Sequence, residues 1–186
     1  MLDDDQRARL LRIARQSIEA ALDGRRLNID VDALDLGALD DALRRPSGVF
    51  VTLSEHTGGL RGCIGSIEPV APLAQAVAAS AFNAAFRDPR FPPVRKEELR
   101  ELHIEISVMS PIVAVMDIAE IEVGRDGLIV SRGNRAGLLL PQVATEHEWD
   151  RDAFLNQTCI KAGLPAGAWR SADCRIERFS AEVFGE

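Results

Sequence analysis

Residues 60–65, LRGCIG, place a thiol two positions from a guanidinium. Neighbouring side chains on a strand point to opposite faces, so Arg61 and Cys63 are predicted to share one face. Leu60 and Ile64 are then expected to face the core. A cation beside a thiol lowers the pKa of that thiol from about 8.5 and makes it more nucleophilic at neutral pH. The segment therefore predicts a reactive Cys63 assisted by Arg61.

The two glycines of this segment, Gly62 and Gly65, remove side chains next to the thiol and leave room for a ligand or for another stretch of backbone. They are predicted to belong to a substrate-binding site around Cys63. The alternative is structural, because free cysteine is among the most buried residue types and glycines serve tight packing equally well. Spacing alone leaves both interpretations open.

A second candidate lies in residues 102–109, where apolar and polar residues alternate. This period of two predicts a strand with one buried face and one polar face. The polar face carries His103, Glu105 and Ser107. A histidine near a carboxylate forms a general base with its orienting partner, so His103 and Glu105 are candidate catalytic residues. The alternative is a solvated sheet face.

Composition and motifs argue against several functional classes. The chain has 22 Lys and Arg against 29 Asp and Glu, a formal net charge of −7. That charge opposes approach to phosphates and disfavours nucleic-acid binding. The sequence contains no P-loop and no GxGxxG, GxSxG, HExxH or CxxC pattern, which counts against the common nucleotide-binding, hydrolase and zinc classes. We therefore predict no cofactor and no metal site.

Cysteine usage predicts the compartment. Cys63, Cys159 and Cys174 form no paired pattern and leave one thiol over, as is typical of a reducing environment. With no secretory leader recognisable in the sequence, this predicts a cytoplasmic protein. The longest uncharged run, 69–86, contains two prolines and is rich in alanine. It predicts a buried helix rather than a membrane span, so no membrane partner is expected.

Periodicity and breakers predict two rounds of similar elements. Each round has a strand, a polar turn, a strand that opens with Gly-Leu, a proline and a helix; Gly59-Leu60 and Gly137-Leu138 occupy matching places. The doubling favours an α+β fold in one domain, 1–186, with two lobes at about 1–110 and 111–186 that share one core. The predicted helices run from the Asp3–Asp5 cap to Gly24 and at about 72–86, 96–100 and 151–162. The predicted strands are 49–53, 60–66, 102–109, 121–123, 128–131, 138–140 and 173–179.

Two connecting segments complete this prediction. Residues 28–48 are acidic and predict an irregular connector. Its expected anchors to the core are Leu34, Leu36, Leu39 and Leu43. Residues 121–131 predict a hairpin, with a Gly-bounded turn at 124–127.

Several segments together resemble the AMME-syndrome candidate-region family, whose prokaryotic members are often called AmmeMemoRadiSam system protein A. The matching segments are LRGCIG at 60–65, AAFRDPRFPP at 84–93, IEISV at 104–108, GLLLPQVA at 137–144, and FL at 154–155 with CIKAGL at 159–164. They occur in the family's order, and the resemblance covers roughly residues 10 to 181.

The resemblance implies an α+β fold of two β-β-β-α-α-β-like repeats with exchanged C-terminal strands and an extra N-terminal helix. It also implies a functional site on the LRGCIG hairpin and a second cluster in the following loop. Carried over to this sequence, the implied site residues are Arg61, Gly62, Cys63, Gly65, Arg87, Asp88, Pro89 and Arg90.

Two functions are favoured at this point over the disfavoured third, nucleic-acid binding. One is an enzyme, or the subunit of one, that uses Cys63 beside Arg61 on a small substrate, with an anionic one favoured. The other is a non-catalytic adaptor that docks through the hairpin and the Arg-Asp-Pro-Arg loop. For that role the resemblance implies a radical-SAM protein and a Memo-like, dioxygenase-related protein as partners.

Overall fold

The computed structural model describes residues 2–25 and 41–186 and confirms the α+β class. The helices are α1 (Asp4–Leu22), α2 (Asp41–Arg44), α3 (Leu73–Phe86), α4 (Pro141–Glu146) and α5 (Arg151–Lys161). The strands are β1 (Val49–Glu55), β2 (Leu60–Ser66), β3 (Leu102–Met109), β4 (Val113–Ala114), β5 (Asp126–Arg132), β6 (Arg135–Leu139) and β7 (Arg175–Gly185). Helix α1 is the expected extra N-terminal helix.

The structure describes only residues 41–48 of the predicted connector. Leu34, Leu36 and Leu39 lie outside the described residues. Leu43 belongs to α2 and is fully buried, as expected of an anchor to the core.

The chain divides into two compact units. The first holds the described residues up to Met109 together with Glu182–Glu186, and the second is Ser110–Ala181. Each unit has its own cluster of buried apolar side chains. The arrangement as one domain around one shared core stays a prediction.

In the first unit, β1 pairs antiparallel with β2 on one side and with β3 on the other. Alternate residues of β1, namely Val49, Val51 and Leu53, point into the core and are almost fully buried. Helices α1 and α3 pack over this face, and the small side chains of α3 allow close approach. The uncharged run therefore does form a buried helix. None of the described helices combines the length and the hydropathy that a membrane span requires.

Helix α1 also fixes the segment that precedes β3. Its Arg15 donates to the backbone carbonyl oxygens of Leu99 (2.9 Å) and Leu102 (3.0 Å) and forms an ion pair with Glu186. The segment that contains Glu98 is thereby tied to α1.

The second unit repeats this order of elements. Strand β5 pairs antiparallel with β6 and with β7, as β1 does with β2 and β3, and β4 adds to the outer side of β7. Helices α4 and α5 follow the β5–β6 hairpin and bury Phe154 and Leu155 in this unit's core. Strand β7 contributes to both units, since residues 182–185 belong to the first.

The predicted hairpin at 121–131 is wrong. Strand β5 begins only at Asp126, and its hairpin partner is β6. The preceding turn is held by the Asp126 carboxylate, which accepts the Glu122 amide (2.9 Å) and two N–H groups of Arg125 (3.0 and 2.7 Å). Gly124 does adopt a left-handed φ of 89°, but its turn closes a loop and does not join two strands.

Gly62 in β2 and Gly137 in β6 have the same packing role. A Cβ added at Gly62 would lie 2.2 Å from the carbonyl oxygen of Ala84, and one added at Gly137 would lie 2.2 Å from the amide nitrogen of Ala162. Each strand thus touches the backbone at the end of a helix, which only glycine permits. The structural counterpart of Gly137 is Gly62, not Gly59 as the sequence comparison indicated.

We expect Gly62→Ala to lower the free energy of unfolding by about 1–3 kcal/mol, because the added methyl group forces β2 away from α3. Gly59→Ala is the matched control, since its Cβ would meet only the flexible Glu55 side chain at 3.6 Å. Urea denaturation followed by circular dichroism measures both. Equal unfolding midpoints for the two variants would contradict the packing argument.

Candidate functional site

A β-bulge interrupts the LRGCIG hairpin at Arg61. Leu53 of β1 lies opposite Gly62, yet the next residue, Ser54, lies opposite Leu60, so Arg61 has no partner across the ladder. Side-chain alternation predicted from the sequence therefore does not hold across this position.

The bulge explains one correct and one incorrect expectation. Ile64 follows the bulge and packs against the core of the first unit, as predicted. Leu60 precedes it and was expected to face the core, but it is 44% exposed. Its neighbour across the ladder, Ser54, belongs to the face of β1 that points away from the core.

The guanidinium of Arg61 pairs with Glu98. Nε donates to Oε1 at 2.8 Å and Nη2 donates to Oε2 at 3.3 Å. These hydrogen bonds are the main cause that lowers the pKa of Glu98, against the opposing cost of burial. Arg61 is only 6% exposed, and its Nη1 is buried without a hydrogen-bond partner among the described residues. A buried, unpaired donor is costly, so this atom is the most unusual polar group of the hairpin.

The thiol of Cys63 has a different neighbour from the one expected. Cys63 is half-buried and lies opposite Thr52, whose hydroxyl donates to Sγ at 3.2 Å. The thiol was expected to lie beside the Arg61 guanidinium. The structure differs, because the bulge changes the direction of the Arg61 side chain, which pairs with Glu98. Two charged side chains lie near Cys63 instead, Asp88 and Arg90.

His103 and Glu105 lie on the exposed face of β3. The register places Glu105 opposite Thr52 and His103 opposite Ser54. Cys63 and Glu105 therefore flank Thr52 in one row, two strand spacings or roughly 10 Å apart between Cα atoms. Their catalytic roles stay predictions.

The second cluster does reach Cys63, but through the backbone. Strand β2 is at the edge of the sheet, and the Cys63 amide donates outward to Oδ2 of Asp88 at 2.9 Å. The Cys63 carbonyl accepts from Nη2 of Arg90 at 3.3 Å. Arg90 also donates to both carboxylate oxygens of Asp88, at 2.9 and 2.7 Å. The loop thus closes the open edge of β2 with a carboxylate and a guanidinium.

Asp88 is almost fully buried. Hydrogen bonds from Arg90, and next from the Cys63 amide, hold the pKa of Asp88 far below its usual range. Arg87 takes no part in this arrangement, because its guanidinium lies over the Phe82 ring at 5.1 Å. At the other glycine of the hairpin, Gly65, an added Cβ would lie 2.6 Å from the Phe50 ring, so this position is filled by protein.

A pocket of about 490 Å³ opens beside the bulge. It is lined by Glu55, Arg61, Phe91, Pro92, Pro93, Arg95 and Glu98. This volume is in the range of small-molecule sites in proteins. The described residues contain no group of three or more His, Cys, Asp and Glu side chains that could hold a metal ion.

Sequence reasoning missed both pocket carboxylates. Glu98 is 37 positions from Arg61 and carries no motif, so only the fold brings the two together. Glu55 ends β1 and has no special spacing either. The nearest available signal was the proximity of Glu98 to the Pro92-Pro93 pair, in a loop already singled out.

Comparison with known proteins places these features in a family. The AMMECR1 family matches residues 11–184. This chain belongs to the AMMECR1 family. The resemblance inferred from the motifs is therefore confirmed. A protein of Methanothermobacter thermautotrophicus is 47% identical, with 100% of this chain and 96% of the relative covered. A protein of Thermococcus gammatolerans is 46% identical, with 95% and 88% covered.

The fold is shared as well. The crystal structure of an uncharacterised protein from Pyrococcus horikoshii matches with a TM-score of 0.78 and 41% sequence identity. The match covers 95% of this chain and 89% of that one.

We expect Asp88→Asn to destabilise the protein at neutral pH, because the edge of β2 and Arg90 lose their carboxylate. The pKa of Asp88 is lower in the folded state than in the unfolded state. Its ionised carboxylate therefore stabilises the fold at pH values above the unfolded-state pKa of about 3.9, and this stabilisation is lost as the pH falls towards the folded-state pKa. The difference in unfolding free energy from the wild type should therefore shrink below about pH 4. Urea titrations between pH 3 and 7 test this.

Asp5→Asn is the matched control, because Asp5 is exposed on α1 and no ion pair is found for it among the described residues. If the loss of unfolding free energy in Asp88→Asn stayed constant from pH 7 to pH 3, the depressed pKa of Asp88 would be contradicted.

Alkylation should distinguish the three cysteines. Cys159 is fully buried, and burial is the main cause that raises the pKa of its thiol. Cys174 is half-buried, and burial raises the pKa of its thiol too. We expect iodoacetamide to label Cys63 first in the native protein and Cys159 last, with similar rates for all three in urea. Peptide mass spectrometry measures the rates, and labelling of Cys159 as fast as Cys63 in the native state would contradict the structure.

Proposed function

We propose that this protein binds a small molecule bearing a carboxylate in the pocket beside the bulge, with Arg61 as the recognition residue. The observation that supports this is the buried Nη1 of Arg61, which has no hydrogen-bond partner among the described residues. A guanidinium has five N–H donors in a planar fork, and Glu98 engages only the edge formed by Nε and Nη2. An anionic oxygen is the acceptor best suited to the remaining nitrogen.

The rest of the pocket supports a ligand with an apolar part. Phe91, Pro92 and Pro93 give it an apolar wall, and the exposed Arg95 at its mouth adds a second positive charge. A carboxylate alone would leave this wall without a contact. A carboxylate on an apolar group would use both the guanidinium and the wall.

The pocket has a rigid frame. Glu98 accepts the Arg95 amide at 2.7 Å in addition to Arg61, and the Val94 amide donates to the Ala85 carbonyl at 2.8 Å. The Arg61–Glu98 pair and the apolar wall are therefore held in place before any ligand arrives, which limits the entropy lost on binding.

Catalysis by Cys63 with His103 or Glu105 stays a prediction. Cys63 is not among the residues that line this pocket. An adaptor role with radical-SAM and Memo-like partners stays a prediction too, and Asp88 and Arg90 of the expected docking loop are already engaged within the fold. We place the binding activity in the cytoplasm, in keeping with three free cysteines.

We expect 3-phenylpropionate to bind at this pocket and its uncharged amide, 3-phenylpropanamide, to bind about tenfold more weakly, because the amide lacks the charge that Arg61 recognises. A two-dimensional ¹H–¹⁵N NMR titration measures the dissociation constant and maps the shifted amides, which should cluster at Phe91, at residues 94–98 and at Arg61. Arg61→Lys should weaken binding about tenfold, because an ammonium does not reproduce the fork.

Arg87→Lys is the control, since Arg87 lies over Phe82 and does not line the pocket. Equal affinity for acid and amide, or shifts confined to other surfaces, would overturn the proposal even if Arg61→Lys failed to fold.

A further inference from the structure

The pocket contains one charged group that the proposed function does not use. Glu55 ends β1 and lines the pocket with an exposed carboxylate. It accepts one long hydrogen bond, from Thr57 at 3.4 Å, and has no ion-pair partner within the part of the chain that the structure describes. Glu55 is therefore free to bind a cation.

The other pocket carboxylate is not free. Glu98 accepts from Nε and Nη2 of Arg61 and from the Arg95 amide, and the Arg95 side chain approaches it at 3.5 Å. Of the two acidic side chains in the pocket, Glu55 alone has unused capacity. On the basic side, Nη1 of Arg61 has unused capacity as well.

We propose that the ligand is a zwitterion of the α-amino-acid class with an apolar side chain. Its carboxylate binds Arg61, its ammonium group binds Glu55, and its side chain lies against Phe91, Pro92 and Pro93. This inference rests on the proposed function and specifies the class of ligand for the same site.

Charge balance supports a zwitterion over a simple anion. Two guanidinium groups and two carboxylates line the pocket, so their formal charges cancel. A simple anion would gain from Arg61 but would be repelled by the unpaired Glu55, whereas a zwitterion meets each group with the opposite charge. Because Glu55 is exposed, its contribution to the binding affinity is modest and is screened by salt. We expect a zwitterion to bind about three- to fivefold tighter than the matching anion at low ionic strength.

Three probes with one skeleton test this inference: 3-phenylpropionate, L-phenylalanine, which adds the ammonium group, and phenethylamine, which lacks the carboxylate. Titrations followed by NMR at low salt should show L-phenylalanine binding about three- to fivefold tighter than 3-phenylpropionate, and phenethylamine binding more weakly than either. The Glu55→Gln variant should remove this preference without changing affinity for 3-phenylpropionate more than about twofold. Glu68→Gln, an exposed acid outside the pocket lining, should leave the preference intact.

The outcomes separate the two proposals. If 3-phenylpropionate binds through Arg61 and L-phenylalanine binds no tighter, or if Glu55→Gln keeps the preference, the zwitterion inference is overturned and the proposed function stands. If neither 3-phenylpropionate nor L-phenylalanine binds at the pocket, both are overturned.

Discussion

The site depends on how the open edge of β2 is closed at Cys63. The amide and carbonyl of Cys63 point away from β1, and Asp88 and Arg90 satisfy both. Without them the edge strand β2 would expose unpaired backbone groups at Cys63. Asp88 is itself buried and has its charge compensated by Arg90, so carboxylate, guanidinium and strand form one mutually dependent unit.

The same loop also shapes the pocket. A few residues after Asp88, Phe91 to Pro93 form its apolar wall, while β2 contributes Arg61. The position of the wall relative to the guanidinium is thus set by the hydrogen bonds at Cys63. Gly62, the residue before Cys63, packs against the backbone of Ala84, and this contact holds β2 against α3. Arg61, next to these two fixed residues, is the one that has no partner across the ladder.

Local patterns in the sequence were enough to predict much of this fold. The bounds of β2 and β3, the helix that starts after Pro72 and the doubled order of elements all follow from periodicity and breakers. The bulge did not follow, because a bulge is a property of two paired strands and nothing in LRGCIG shows which residue loses its partner. Alternation therefore placed Arg61 beside Cys63, whereas the fold pairs Arg61 with Glu98. Glu98 is distant from Arg61 in sequence, so local patterns cannot reveal the pair. Local patterns do not reveal Glu55 as a pocket residue either. The hairpin expected at 121–131 failed for a similar reason, since the Asp126 side chain supplies the contacts that a strand would otherwise make.

The Cys63 amide has a consequence for the dynamics of the site. Its proton is held by a side chain of a loop rather than by a neighbouring strand. Solvent deuterium can replace it when that loop detaches, with no need for the sheet to come apart. The exchange rate at this one position therefore reports how often the pocket wall leaves its place, while the amides of β1 and β3 report the stability of the sheet itself.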